Sequence, residues 1–436
     1  MQNLHQLLAM TVAAAALLAA GQAPNARGQD YTVLLSFTGT GGAYPGSFPM
    51  GSFVLSGSTL YGMTAHGGAN DKGTIFSIGT DGSGFDSFYS FSGGTGGDQP
   101  HHGSLAISGS TLYGMTLAGG ASGNGNVFSI STDGSSYANL VSFSGSGGPT
   151  PGSQPHGDLI VSGTTLYGMT SGGTISGYAG NAFAVGADGG NFQNLLTFSG
   201  SGGADPGANP HGGLILSGST LYGMTTGGSG GATDNGNVFS AAPDGTGFQS
   251  LIAFSGSGSA VPYPGATPGG GRLIQSGSTL YGITSAGGAD GYGNVFSMNL
   301  DGSNYQSLLS FSGSSGSYLG NSPWCTLALS GTTLYGMTES GGLYNTGTIF
   351  SLGTDGSNFQ SLLSFSGSAG PCLGAAPMGS LTLSGSTLYG MTFAGGANNA
   401  GVVFALNLVP EPSTLALLGV GAMALVRRRR SRPLKG

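Results

Sequence analysis

The sequence predicts an all-β fold: a seven-bladed β-propeller of four-stranded antiparallel blades, its ring closed by an N-terminal strand (31–37) that completes the last blade. Three observations carry this expectation. The phrase "STLYGMT" at Ser58–Thr64 returns six more times with at most small changes. Each copy sits among three other apolar segments in a fixed order. The set of four is out of phase with the ends of the chain.

The four segments are clearest in the second repeat. "GSLAISG" (Gly103–Gly109) leads into "STLYGMT" (Ser110–Thr116), a Gly-rich loop leads to "GNVFSI" (Gly125–Ile130), and an Asp-Gly turn leads to "YANLVSF" (Tyr137–Phe143). Alternation and β-branched or aromatic content predict strands, and no segment carries a helical period. Asp81, Asp133, Asp188, Asp244, Asp301 and Asp355 each precede Gly, which reads as two-residue type I′ hairpins. The motif tyrosines Tyr61, Tyr113, Tyr167, Tyr222, Tyr281, Tyr335 and Tyr389 lie 52, 54, 55, 59, 54 and 54 residues apart. Four short strands per unit of that size are the pattern of propeller blades.

Phase decides the closure. A fourth-type strand, "YTVLLSF", begins at Tyr31 before any first-type strand has appeared, and the type recurs at Phe85, Tyr137, Phe192, Phe248, Tyr305 and Phe359. The last repeat supplies "GSLTLSG", "STLYGMT" and "GVVFAL" but no fourth strand. All seven sets become complete only if Tyr31–Phe37 pairs beside Gly401–Leu406, which also removes an exposed sheet edge. An open β-solenoid is the other fold such repeats allow, but it has no use for a strand displaced to the opposite terminus.

Of 436 residues, 91 are Gly and only 6% are charged. The 38% hydrophobic content suffices for a core when it falls with strand periodicity. The net charge of −7 hides an asymmetry, because Arg427–Arg430, Arg432 and Lys435 are six of the nine bases. Between Tyr31 and Val409 the only bases are Lys72 and Arg272, against fourteen acids. A body so charged repels phosphate backbones, which excludes nucleic acid as a partner.

Both ends read as addresses. The apolar run "LLAMTVAAAALLAA" (residues 7–20) followed by small residues predicts a signal peptide over 1–29, cut between Gly21 and Gln29. At the other end, "VPEPSTLALLGVGAMALVRRRRSRPLKG" holds an apolar run from Thr414 to Val426. As a helix that run spans about 20 Å, short of the roughly 30 Å core of a bilayer, and the arginines after it form a stop signal. Pro410, Glu411 and Pro412, the short apolar stretch and the Arg cluster together resemble the PEP-CTERM sorting signal. That resemblance implies processing by an exosortase-type enzyme. It also implies export to the cell envelope, cell surface or extracellular matrix of a Gram-negative bacterium, with membrane contact only through the C-terminal segment. The expected organisation is signal peptide 1–29, propeller 31–408 and sorting segment 409–436.

The unit "G-x-L-x-x-S-G-S-T-L-Y-G-M-T-x-x-G-G … G-x-V-F-x-x-x-x-D-G" resembles the GloVer tandem repeat of exported bacterial proteins that carry alternative anchors, and it is kelch-like in strand order. The resemblance implies a fold and a location but no reaction.

Strictly repeated residues are expected to serve the scaffold. The motif tyrosines read as packing rings, with the following Gly letting a neighbouring blade approach. The Asp-Gly aspartates lack the clustered oxygens that calcium needs. A ligand site is expected where copies differ. In the Pro-containing segment leading into the first strand, one position reads Met50, His102, His156, His211, Gly269, Trp324 and Met378 through the blades. These segments and the second-to-third loops belong on one face of the ring. Packed sheets stand about 10 Å apart, so His102 and His211 are expected nearly twice that far from each other, too far to share a metal. No metal and no cofactor is therefore assigned.

The candidate ligand surface is His102, His156, His211, Trp324, Glu339 and His66, suited to a sugar ring or a peptide. A Pro-His-Gly turn that caps each strand and repeats by duplication accounts for the histidines without any ligand. Cys325 and Cys372, in same-face loops of adjacent blades, are expected to form a disulfide. Catalytic support is thin. Glu339 is the only glutamate of the body, Asp98, Asp158 and Asp205 lie nearby without distinction, and no hydrolase, zinc-peptidase or phosphate-loop motif is present. The sequence thus points to a non-catalytic exported module binding an exopolysaccharide or a surface protein. An extracellular polysaccharide hydrolase or lyase using the histidine-bearing face is the alternative.

Overall fold

In a computed structural model the chain is described over residues 30–173, 179–228, 234–258 and 260–408. The signal peptide and the sorting motif at Pro410, Glu411 and Pro412 lie outside the described residues. The strands form seven sheets, one per repeat, each an antiparallel meander. In the first blade the order is Val54–Ser56, Thr59–Thr64, Thr74–Gly79 and Asp86–Ser90. The blade around Tyr281 adds a short extra strand, Ala266–Pro268, beside its second strand. Among the described residues no helix is long and apolar enough to cross a membrane.

The ring closes as the phase of the repeats requires. Asp30–Ser36 pairs antiparallel with Val402–Asn407 and becomes the outer strand of the last blade. Leu35 faces Val403, and Leu34 is the bulged residue between two stretches of regular register. The same slip opposite the third strand recurs in other blades, for example between Val127 and Phe128 and between Val295 and Phe296.

Both faces of each second strand are covered, so "TLYGMT" is buried almost throughout. The Gly of the motif acts differently from the expectation. A Cβ on Gly114 would meet the ring of Phe128, its cross-strand partner in the same blade. Glycine here makes room for the blade's own phenylalanine, not for the neighbouring blade. The final Thr bonds across the same strand pair, as Thr64 does with Thr74 at 2.9 Å and Thr225 with Asn237 at 2.7 Å.

One aromatic pair seals each boundary between blades. The phenylalanine ending an outer strand meets edge-on the third-strand phenylalanine of the next blade. The pairs are Phe37–Phe76, Phe91–Phe128, Phe143–Phe183, Phe198–Phe239, Phe254–Phe296, Phe311–Phe350 and Phe365–Phe404, with centroids 5.2 to 5.4 Å apart. Such contacts add directional attraction to the burial of two large rings. Phe37 comes from the N-terminal strand, so the boundary between the last and first blades depends on that strand.

The Asp-Gly turns are not type I′. Gly82 donates to the carbonyl of Gly79 at 2.9 Å, and the left-handed residue is Gly82 (φ 84°), whereas Asp81 is absent from the positive-φ residues. This is a type I turn followed by a left-handed Gly. The Asp81 carboxylate accepts from the Ser83 N–H and hydroxyl at 2.9 and 2.7 Å, and these bonds hold its pKa below the usual value.

The expected disulfide is not formed. Cys325 and Cys372 are both buried free thiols. Cys325 Sγ is held against the backbone N–H and carbonyl of Met337 in its own blade, at 3.2 and 3.3 Å. Cys372 lies in the loop before the last blade, where its N–H donates to Ser366 Oγ.

Phe143→Ala and Phe37→Ala are each expected to cost about 3–5 kcal/mol of stability, measured as a lower denaturation midpoint. A Phe37 variant as stable as the parent would contradict the sealing role of the N-terminal strand.

Candidate functional site

The first strands are innermost and surround a cavity of about 520 Å³ on the propeller axis, lined by residues such as Ser52, Ser104, Asp158, Arg272, Thr326 and Ser380. These polar residues also join blades. Ser52 N–H donates to Ser104 Oγ, Ser104 N–H to Asp158 Oδ1, Arg272 N–H to Thr326 Oγ1, Thr326 N–H to Ser380 Oγ, and Ser380 N–H to Ser52 Oγ, at 2.7 to 3.0 Å. The belt lapses where Gly213 offers no acceptor. Asp158 is therefore a structural acceptor, and Asp98 is ion-paired with Lys72 at 2.9 Å.

Immediately before the belt in sequence lies a collar. Its seven positions are Gly51, Gly103, Gly157, Gly212, Gly271, Cys325 and Gly379. A Cβ on Gly103 would stand 2.9 Å from the Gly157 carbonyl oxygen, and one on Gly51, Gly157, Gly212, Gly271 or Gly379 closer still to the next blade's carbonyl. None of these glycines has positive φ, so space and not backbone conformation requires them.

The residue before each proline, ahead of the collar, is left-handed: Phe48, Gln99, Gln154, Asn209, Thr267, Ser322 and Ala376 have φ between 45° and 56°. Such backbone persists only where its surroundings over-determine it, and here two blades do so. Gln154 N–H donates to the Asn124 carbonyl of the preceding blade, while the Gln154 carbonyl accepts from the Ser171 N–H of its own blade. The adjoining Pro155 ring lies against Gly125 of the preceding blade.

Between clamp and collar stand the residues that differ among repeats. His101 and His102 come from the second blade, His156 from the third, His211 from the fourth and Trp324 from the sixth. They converge on the axis. Ring centroids are 4.5 Å apart for His156–His211, 6.2 Å for His211–Trp324, 5.9 Å for His102–Trp324 and 5.9 Å for His102–His156. These four rings form a closed cycle whose neighbours deviate from parallel by only 15° to 31°. His101 joins from the side, 4.3 Å from His102 and 5.3 Å from His156. The expected wide separation of His102 and His211 is thus overturned, because sheet spacing holds within the packed blades and not at a glycine collar.

His102 itself has φ 56° and reaches toward Gly270 of the fifth blade, where a Cβ would meet its Nδ1 at 3.8 Å. The extra residue of "PHHG" relative to "PHGD" carries this displacement. His101 was overlooked in the sequence although that extra residue marked it.

Of the other candidates, Glu339 belongs to the site, its carboxylate hydrogen-bonded to the Trp324 side chain. Burial raises its pKa and that bond opposes the rise. His66 packs edge-on against Phe48 at 5.8 Å, outside the ring cycle. Burial, then neighbouring imidazoles, lower the pKa of His101 to about 4 and of His102 to about 3. His156 is lowered for the same reasons and His211 by burial. At neutral pH the cluster is uncharged.

The model of the Gloeobacter/Verrucomicrobia repeat matches residues 24–228, 149–321 and 263–418, which together span the propeller. The chain belongs to the Gloeobacter/Verrucomicrobia repeat family. A PEP-CTERM protein-sorting motif matches residues 408–430, and it implies exosortase processing and export to the cell envelope or surface. No curated protein matches this family member in sequence. Among solved structures, an oligogalacturonate lyase in complex with manganese superposes with a TM-score of 0.53 at 11% identity, covering 89% of this chain and 96% of that one. A puromycin-hydrolysing peptidase of Mycobacterium tuberculosis gives 0.51 at 12% identity over 83% of this chain, which spans about half (52%) of that protein. At such identity these likenesses show the fold alone.

The four depressed histidines have a pH consequence. Each binds a proton more readily unfolded, at about 6.5, than folded. Stability is therefore complete above about pH 6.5 and falls with acidification toward about pH 4, by at most ~1.4 kcal/mol per pH unit per histidine. The melting temperature should drop between about pH 7 and pH 5, with a shallower drop in a His101→Gln/His156→Gln double variant. An equal slope in both would refute the burial of neutral imidazoles.

Proposed function

We propose that this exported propeller is a non-catalytic binding module of the cell surface or matrix of a Gram-negative bacterium, and that a neutral glycan seats on the axial cluster of His102, His156, His211 and Trp324. The observation that carries this reading is the closed cycle of near-parallel rings on one face. Sugar rings present apolar C–H faces to aromatic rings, while their hydroxyls need a few directed polar partners. Glu339, half-buried and tied to Trp324, and the His211 imidazole supply such partners.

Exposed aromatics on the same face extend the surface outward. Tyr292, Tyr318 and Tyr344 lie in loops of the fifth and sixth blades, the latter being the blade that bears Trp324. The net negative charge of the body favours a neutral polymer over an anionic one.

The test is affinity electrophoresis of the purified full chain through gels holding neutral or acidic polysaccharides, followed by a reducing-end assay. Retardation by a neutral polysaccharide is expected, with loss of about tenfold or more in affinity in Trp324→Ala and no new reducing ends. Turnover that vanishes in Glu339→Gln would replace the binding reading with the polysaccharide-active one. Migration unaffected by any glycan would end both.

A further inference from the structure

We propose that His101, His102 and His156 bind a single zinc ion on the propeller axis, through three imidazole nitrogens and with a fourth coordination position left open. The inference does not depend on the glycan reading, because it rests on the ligand nitrogens and not on the ring faces.

Geometry comes first. One nitrogen from each of the three rings lies within 4.8 Å of the other two. A tetrahedral zinc site with bonds of about 2.0–2.1 Å has edges of roughly 3.4 Å. The remaining difference is within reach of small rotations of half-buried rings, without movement of the backbone. That backbone is held on both sides. Gln99 and Gln154 are clamped left-handed residues, and Gly103 and Gly157 are collar positions pressed on the next blade. A triad borne on such a frame is pre-organised, which a metal site requires.

Donor chemistry comes second. The set contains nitrogen only, which suits zinc and its transition-metal neighbours over calcium or magnesium. Nδ1 of His101 and Nδ1 of His156 are buried and have no hydrogen-bond partner in the protein. Buried polar atoms that bond to nothing are uncommon and call for a ligand.

Charge balance does not oppose the ion. Lys72, one of the two bases of the body, is paired with Asp98. The Glu339 carboxylate stands beside Trp324, whose ring neighbours His102. His211 has a different place: it lies face to face with His156, 15° from parallel, and is not among the residues whose ligand atoms lie within 4.8 Å of one another.

Calorimetric titration of the full chain, purified without a histidine tag and stripped by chelator, should show one equivalent of zinc. Cobalt(II) in its place should give the intense visible bands of tetrahedral coordination. Zinc, but not magnesium or calcium, should raise the melting temperature. Affinity should fall by roughly a hundredfold or more in His101→Gln and in His156→Gln, since each removes one of three bonds. His211→Gln should still bind one equivalent. The absence of both a saturable zinc isotherm and a zinc-dependent melting shift in the parent chain would overturn the proposal. Binding lost in His211→Gln, or kept in His101→Gln and His156→Gln, would overturn the assignment of the triad. None of these readings involves a glycan, so failure here is distinguishable from failure of the binding function.

Discussion

The molecule depends on how closely seven first strands can approach one another at the axis. At six of seven collar positions a single Cβ would collide with the neighbouring blade's carbonyl. Glycine there raises the conformational entropy lost on folding, and it gives a ring tighter at its centre than sheet packing permits elsewhere. Two features follow from that contraction. N–H groups reach side-chain oxygens of the next blade in the belt, and rings from four blades come together. The seventh position, Cys325, meets the same constraint by turning its sulfur back onto Met337 of its own blade.

Contraction alone would bring flexible loops together, and flexible loops hold rings poorly. The left-handed residue before each proline supplies rigidity. Backbone of this kind costs of order 1–3 kcal/mol per site, and in this propeller it recurs wherever one blade passes to the next. Its N–H is tied to one blade and, for Gln154, its carbonyl to the other, so relaxing it would break bonds on both sides. The candidate site therefore stands between a clamp and a collar, two or three residues long, with little freedom except at its side chains.

The sequence made the blade architecture readable because strand types, turn signals and phase are local and repeated sevenfold. Tyr31–Phe37 could be assigned to the last blade by counting alone. The turn type was not readable from Asp-Gly, since Asp81 in a type I turn and Asp in a type I′ turn present the same dipeptide. The convergence of His102 with His156, His211 and Trp324 was hidden for a different reason. It is set by Gly51, Gly103, Gly157, Gly212, Gly271 and Gly379, and among the 91 glycines of the chain these six carry no signal of their own. Ordinary sheet spacing would hold the histidines apart, but the collar has no room for a Cβ and the axis is tighter than the blades. The pairing of Cys325 with Cys372 failed similarly, because adjacency of loops says nothing about which way a sulfur points from a collar.

Repetition and deviation divide the labour in this chain. The Phe pairs, the Thr bonds and the Asp turns recur in nearly every blade, so the scaffold leaves each blade free to vary one or two residues at the axis without loss of its neighbours' packing. The variation is asymmetric: histidine in three successive blades, glycine in the fifth, tryptophan in the sixth and methionine at Met378 and Met50 in the last and first. Glycine in the fifth blade has a steric role, since Gly269 and Gly270 lie against the Trp324 ring and a Cβ at Gly269 would stand 3.3 Å from Cε3. The absence of a side chain in one blade thus sets the tilt of the aromatic in the next. A site made this way needs no loop insertion and no added domain, only a ring whose centre is small enough for one residue per blade to meet the others.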